Sequence, residues 1–104
     1  HWARNYEFFG APVEFFIFAH KGLGAYAASD ASLFAQNLML SAHARGLGTC
    51  AQGAVAMWSN LVKTEFELPS EYQLLYGIAL GYPSDHKVNS FRAERLPISD
   101  IIAK

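Results

Sequence analysis

The sequence predicts an α+β architecture in which a sheet packs on a central, buried helix. Residues 13–19 and 74–80 are apolar, rich in aromatic and branched side chains, and bounded by glycine or proline, which is typical of buried strands. Between them, residues 30–45 carry apolar side chains at helical spacing on nearly every side. A helix with that pattern is expected to be surrounded by protein.

The composition narrows the classes of partner. Hydrophobic residues make up 52% of the 104 residues and charged residues only 16%, so we expect part of the apolar surface to meet another chain. The net charge of -1 and the lack of a basic cluster beside an apolar face predict neither a nucleic-acid nor a membrane partner. The single cysteine, Cys50, is compatible with a reducing compartment, and we expect a cytoplasmic protein.

The first two elements have clear local signals. A strand over residues 13–19 follows the breaker at residues 10–12. Ser29 or Asp30 is expected to cap the long helix, which ends at about Arg45, and Gly46 suits the left-handed turn beyond it. Small side chains on this helix would let another helix approach closely; they are the alanines at positions 31, 35, 42 and 44.

Three further elements complete the prediction. A second helix, shorter and more exposed, is expected from about residue 55 to residue 66, with Pro69 preventing its continuation. A buried strand follows at residues 74–80 and ends in a cluster of turn formers. Residues 88–104 are predicted to be a tail that docks on the rest of the domain.

The stretch from Gly46 to Gly53 is the best local indication of a binding site. Two glycines free the backbone after the helix, and the small residues Cys50 and Ala51 follow, with Gln52 the one long side chain. A flat ring could lie against such a backbone and accept hydrogen bonds from its N–H groups. An ordinary helix end followed by tight strand–helix packing explains the same pattern, and spacing alone leaves both readings open.

Other side chains offer weaker candidates. No motif ties a histidine to Cys50, so we do not expect it to be a nucleophile. The four histidines are scattered without metal-ligand spacing, so no metal site is predicted; they are His1, His20, His43 and His86. The aromatic residues before the first strand are expected to face a partner subunit, with a wall over a substrate or a place in the core as the alternatives; they are Trp2, Tyr6, Phe8 and Phe9.

An ordered set of segments carries a family resemblance over nearly the whole chain. They are Asn-Tyr-Glu-Phe-Phe-Gly-Ala-Pro at 5–12, Gln-Asn-Leu-Met-Leu at 36–40, Gly-Leu-Gly-Thr-Cys at 46–50, Ala-Leu-Gly-Tyr-Pro at 79–83 and Val-Asn-Ser-Phe-Arg-Ala-Glu-Arg at 88–95. Together they resemble the C-terminal half of the FMN-dependent nitroreductase family. The resemblance implies that residues 1–104 are the C-terminal portion of a single nitroreductase-like domain with an antiparallel sheet.

The resemblance also implies a cofactor site. In the family, the main chain matching Cys50, Ala51, Gln52 and Gly53 lies along the isoalloxazine ring of FMN, and basic residues matching Arg92 and Arg95 bind the phosphate. Guanidinium groups suit phosphate oxygens, although from charge alone the two arginines could equally form a solvated surface patch. No catalytic side chain is predicted, because the cofactor carries the chemistry.

The activity implied is a ping-pong reaction in a homodimer with FMN at its interface. NAD(P)H would reduce FMN, and the reduced flavin would pass electrons to a small nitroaromatic or quinone-like acceptor. The chain begins without methionine, which suggests a start within a longer protein, and we expect these 104 residues alone to bind FMN poorly and to be inactive. The alternatives are other chemistry of the superfamily, such as dehalogenation or fragmentation of the flavin, and a cofactor-free dimerisation module.

Overall fold

The computed structural model describes residues 2–103 and contains one three-stranded antiparallel sheet packed on one long helix. In chain order the strands are β1 (Val13–His20), β2 (Gly48–Gln52) and β3 (Tyr72–Gly81), and the helices are α1 (Gly24–His43) and α2 (Ser59–Glu65). Strand β3 lies in the middle of the sheet, with β1 on one side and β2 on the other. The α+β class and the two predicted strands are confirmed.

Helix α1 packs on one face of the sheet through a small residue. Ala35 is 1% exposed and lies in a cluster with Ile17 of β1 and Ile78 of β3, which is fully buried. Because alanine has so short a side chain, the helix axis can come close to the strands. The prediction that the alanines admit a second helix is therefore wrong at Ala35, where the sheet makes the close approach.

The helix starts earlier than the sequence predicted. It begins at Gly24, so Ser29 and Asp30 lie within it and do not cap it. Gly24 takes a positive φ of 58°, which turns the chain into the helix, and the following alanines favour helical backbone.

The end of α1 agrees with the prediction. Gly46 has a φ of 75°, its N–H donates to the carbonyl of His43, and the N–H of Leu47 donates to the carbonyl of Ala42. These two bonds form a Schellman motif, which requires the left-handed conformation that glycine adopts without strain. The guanidinium of Arg45 donates to the carbonyl oxygen of Ser41 at 2.9 Å, so a cation satisfies a free carbonyl of the last turn.

Two predictions of burial are wrong for the part of the chain that the structure describes. On α1, Leu33, Phe34 and Leu40 are 56–65% exposed, so the helix is not covered on all sides. The tail after residue 87 is exposed throughout residues 88–103 and does not dock. An apolar pattern predicts that a face is buried. No part of residues 2–103 covers the exposed face of α1 or the tail.

The segment between β2 and β3 also differs from its prediction. Residues 53–58 form a 3₁₀ segment, and only residues 59–65 form the α-helix α2. Val55 is buried in the 3₁₀ part, and its side chain lies over Gly77 of β3. The expected single helix is therefore divided, because its first half forms a 3₁₀ segment that packs on the sheet.

The second face of the sheet holds two rows of residues aligned across the strands. Glu14, Ala79 and Cys50 form one row; Phe16, Gly77 and Gln52 form the next. Directly paired residues of antiparallel strands point to the same face, so all six share it. A Cβ atom at Gly77 would collide with Oε1 of Glu14 and come within 3.4 Å of Cγ2 of Val55, so the Glu14 carboxyl lies over the bare backbone of Gly77.

This placement takes the Glu14 carboxyl out of water. Both of its oxygens are buried and lack a hydrogen-bond partner among the described residues. Burial raises the pKa of Glu14 from its ordinary 4.5 to about 7, because the charged form loses hydration that nothing replaces.

Replacing Gly77 by alanine tests the contact. We expect Gly77→Ala to lower the free energy of unfolding by about 1–2 kcal/mol, because the added methyl displaces the Glu14 carboxyl and crowds Val55. Gly53→Ala is the matched control, since nothing lies within 4 Å of its Cβ position. In a Glu14→Ala background the cost of Gly77→Ala should shrink; an unchanged cost in urea denaturation would contradict the contact.

The pKa of Glu14 predicts how stability depends on pH. The folded state holds the proton more tightly than the unfolded state, so the stabilisation is complete below pH 4.5 and is lost as the pH rises to about 7. After allowing for solvent screening of a half-buried side chain, we expect a loss of about 1–2 kcal/mol. Urea denaturation across this range should show the loss in the wild type and in the control Glu7→Gln, whereas Glu14→Gln should lack it. Parallel curves for Glu14→Gln and the wild type would disprove this assignment.

Candidate functional site

Strand β2 forms an edge of the sheet, and no local hydrophobic pattern had marked it as a strand. It pairs with β3 along one side, and within residues 2–103 no strand pairs with its other side. In an antiparallel pair, alternate residues direct their N–H and C=O groups away from the partner, so an edge strand presents free donors and acceptors. The predicted stretch at residues 50–53 lies on this edge and continues into the following 3₁₀ segment.

Small side chains leave that backbone accessible. Cys50, Ala51 and Gly53 are exposed, and a Cβ atom built on Gly53 meets no atom within 4 Å. Open space over the main chain is what a flat ring needs to come within hydrogen-bond distance of an N–H group.

A shallow hollow lies between this edge and helix α1. Its volume is ≈ 400 Å³, and its lining includes Ser32, Gln36, Met39, Ala51, Gly53 and Tyr76. The Tyr76 hydroxyl donates to Oγ of Ser32 at 3.3 Å, so polar groups lie beside an otherwise largely apolar wall. Apolar walls with a few placed polar groups are common in sites for small organic molecules.

Gln52 takes part in the site through its main chain, because its side chain is directed inward. The residue is 1% exposed, and its Nε2 donates to the carbonyl oxygen of Asn5 at 2.9 Å. This bond joins β2 to the 3₁₀ segment at residues 2–10. The Oε1 atom of Gln52 is buried and lacks a partner among the described residues.

The thiol of Cys50 is held in its neutral form. Although the residue is exposed as a whole, partial burial of its thiol raises the pKa of Cys50, and the charge of Glu14 in the same row raises it further. Because the thiolate is the nucleophilic form, both effects disfavour attack by Cys50 at neutral pH. The local electrostatics thus give no support to a cysteine nucleophile.

The two candidate phosphate ligands lie on the exposed tail. The guanidinium of Arg92 donates to the carbonyls of Asn89 and Phe91, and that of Arg95 donates to the carbonyls of Ala93 and Glu94. These partners are all near neighbours in sequence, and both arginines are exposed. Each guanidinium therefore retains N–H groups for an anion, and the proposed phosphate contact stays a prediction.

The aromatic residues before β1 divide between surface and core. Tyr6 packs edge-on against Trp58 with ring centroids 6.1 Å apart, and Phe8 packs against Phe16 at 6.0 Å. Trp2 and Phe9 are exposed. Tyr6 and Phe8 are half-buried against rings of the same chain, which favours the core alternative for them. Trp2 is exposed but also packs edge-on against Tyr6 at 5.2 Å, and a partner contact of these residues stays a prediction.

Sequence reasoning missed the functional interest of Glu14. The residue stands in an apolar strand, where alternation assigns it to the face opposite Phe15 and Ile17. Its effect depends on Gly77, which is more than sixty positions away, so the strand register was needed to find it. A lone acid within an otherwise apolar run was the signal available.

Within residues 2–103, no helix is long and apolar enough to cross a membrane. Over the same range, no group of three or more histidine, cysteine, aspartate or glutamate side chains is arranged to hold a metal ion.

Comparisons with known proteins show which family the sequence is similar to. The family model described as the nitroreductase family matches residues 1–82. The 4-nitrobenzoate reductase of Pseudomonas putida is 39% identical over 92 residues, which are 88% of this chain and 40% of that protein. A 4-nitrobenzoate reductase of Nocardioides sp. (strain LMS-CY) is 34% identical over 96 residues, which are 91% of this chain and 39% of that protein. The chain thus spans about 40% of the length of these relatives.

A solved structure gives the same result for the fold. The FMN-dependent nitroreductase NfnB from Mycobacterium smegmatis, in complex with NADPH, matches with a TM-score of 0.89 and 31% identity. The match covers 97% of this chain and 46% of that one. Since the family model covers most of the sequence and the fold is shared along nearly all of it, the chain belongs to the nitroreductase family.

Proposed function

We propose that this chain forms part of an FMN-dependent NAD(P)H oxidoreductase that reduces nitroaromatic or quinone-like acceptors by a ping-pong mechanism. The observation that carries the proposal is the open edge of β2, where Cys50, Ala51 and Gly53 leave the main chain accessible beside a hollow of ≈ 400 Å³. The related solved structure described as FMN-dependent and complexed with NADPH supports this choice of cofactor and donor.

The residues present fit the ring of FMN. The methyl group of Ala51 and the backbone of Gly53 line the hollow, and the open space over Gly53 suits a flat group laid against the backbone. When bound, FMN would supply hydride acceptance from the nicotinamide and electron transfer to the acceptor. The chain would supply those main-chain N–H donors of residues 50–53 that point away from β3, fixed in place by the pairing of β2 with β3. No side-chain acid or base is assigned to the reaction.

The arginines fit the phosphate of FMN by chemistry. Arg92 and Arg95 stay charged at any working pH and offer forked N–H donors to phosphate oxygens. Both side chains are exposed, so desolvation by the chain itself does not oppose the binding of an anion. We propose Arg95, and then Arg92, as the phosphate ligands.

The remaining walls of the site are proposed to lie outside this chain. The apolar outer face of α1, with Leu33, Phe34 and Leu40 exposed, supports burial against further protein. We propose a homodimer with FMN at its interface, working in the cytoplasm, and we propose that the 104 residues alone bind FMN weakly and are inactive.

Adding bulk at Gly53 tests the position of the ring. In the protein that carries this sequence, we expect Gly53→Leu to weaken FMN binding about 10-fold or more, because the side chain fills the space over the backbone. The fold should be retained, since nothing lies within 4 Å of the added Cβ. FMN titration followed by flavin fluorescence measures the affinity, and circular dichroism checks the fold. Unchanged affinity in a folded variant would remove Gly53 from the site.

Neutralising Arg95 tests the phosphate contact. We expect Arg95→Gln to weaken FMN binding about 10-fold, because one charge-assisted contact is lost. Riboflavin, which lacks the phosphate, should bind wild type and variant equally. Arg4→Gln makes the same charge change at another exposed position and should leave FMN affinity unchanged. An equal loss of FMN and riboflavin binding would count against a phosphate role for Arg95.

A further inference from the structure

The second face of the sheet conceals polar atoms that the fold does not satisfy. Four buried side-chain oxygens lack a hydrogen-bond partner among the described residues: the Tyr6 hydroxyl, both carboxylate oxygens of Glu14, and Oε1 of Gln52. An ionised carboxylate and an amide oxygen only accept hydrogen bonds, so Glu14 and Gln52 cannot satisfy each other while Glu14 is charged. Buried acceptors without a donor are costly, which makes this cluster a feature in need of a physical explanation.

The strand register places Glu14 and Gln52 on either side of Gly77 on the same face of the sheet. Gln52 pairs directly with Gly77, and the Glu14 carboxyl lies over Gly77 from the neighbouring row on the other side. Because Gly77 has no side chain, nothing from β3 separates the carboxyl of Glu14 from the amide of Gln52 above the sheet. A single proton on Glu14 would turn its carboxyl group into a hydrogen-bond donor for the amide oxygen of Gln52.

We propose that Glu14 is a positioning residue whose protonated carboxyl donates a hydrogen bond to Oε1 of Gln52. Since Nε2 of Gln52 donates to the carbonyl of Asn5, the result is a continuous link from β1 through β2 to the segment at residues 2–10. The link fixes the residue that immediately precedes Gly53. Its consequence for cofactor binding, though not the link itself, rests on the proposed function.

Loss of the proton breaks the link. Burial raises the pKa of Glu14 to about 7, so above that pH its carboxylate has no proton to donate to Oε1 of Gln52. The titratable group in the facing row of the sheet is Cys50 on β2. The segment at residues 2–10 carries Arg4, Tyr6 and Glu7, and α2, which contacts β3, carries Lys63 and Glu65. The facing residues of β3, Gly77 and Ala79, are not ionisable, and the segment at residues 53–58 contains no ionisable side chain.

The segment held by this link is strained. Phe8 and Phe9 adopt left-handed conformations, with φ values of 50° and 55°, which bulky residues rarely adopt. Such a backbone persists only when surrounding contacts impose it, and the bond from Gln52 to Asn5 anchors the same segment three residues before Phe8. Release of Gln52 is therefore expected to loosen residues 2–10 as the pH rises.

Side-chain NMR tests the link in the protein that carries this sequence, without added FMN. From about pH 5 to about pH 9, the side-chain amide resonances of Gln52 should shift with a midpoint of about 7. The carboxyl carbon of Glu14 should titrate with the same midpoint. In Glu14→Gln an uncharged donor is present at every pH, so the pH-dependent shift of the Gln52 amide should be lost. In Glu7→Gln, which changes an exposed acid of the segment at residues 2–10, the shift should be retained.

The outcomes separate clearly. A Gln52 amide that does not titrate in the wild type, or that titrates unchanged in Glu14→Gln, overturns the proposal. If Glu14→Gln fails to fold, the wild-type measurement decides, because different midpoints for Glu14 and Gln52 would also overturn it. These readouts do not require a flavin, so failure of FMN binding would reject the proposed function and leave the link standing.

Discussion

The rest of the structure depends on the central strand β3, which packs against a different neighbour on each face of the sheet. Toward α1 it presents Ile78, fully buried against Ala35. Toward the other face it presents Gly77, whose lack of a side chain admits the carboxyl of Glu14. Adjacent residues of a strand necessarily point to opposite faces, so one short stretch of β3 sets both how closely the helix approaches and how deeply an acid is buried.

The two faces contribute opposing energies of similar size. Burying a side chain such as Ile78 stabilises the fold by roughly 1.5–3 kcal/mol. A buried polar group without a partner costs about 1–3 kcal/mol, more if it is charged. The raised pKa of Glu14 reduces this cost, because a neutral acid loses less hydration than a carboxylate. Protonation, in place of a salt bridge, thus lowers the cost of burying Glu14. The acid is therefore tolerated over β3, the strand next to the one that forms the candidate site.

Local signals predicted part of this fold, and contacts distant in sequence determined the rest. Strands β1 and β3 and the turn at Gly46 follow from residue types within a few positions, so they were predictable. Strand β2 was missed because Gly48 and Ala51 disfavour a strand and Thr49 is its one β-branched residue, so the strand signal is weak without the partner β3. The exposed face of α1 and the undocked tail show the converse: burial was predicted there, but no part of residues 2–103 covers them.

The candidate site divides in the same way. The accessible backbone at residues 50–53 was predictable from small residues and family resemblance, whereas the inward direction of the Gln52 side chain was not. The most direct test of the account uses the whole protein of which this chain is proposed to form part. The visible spectrum of FMN is recorded while the protein is added, and then after anaerobic addition of NADPH and of a nitroaromatic compound. We predict a saturable change in the flavin bands, bleaching with NADPH, and return of the bands with the acceptor. A spectrum that stays that of free FMN throughout the titration would contradict the central claim.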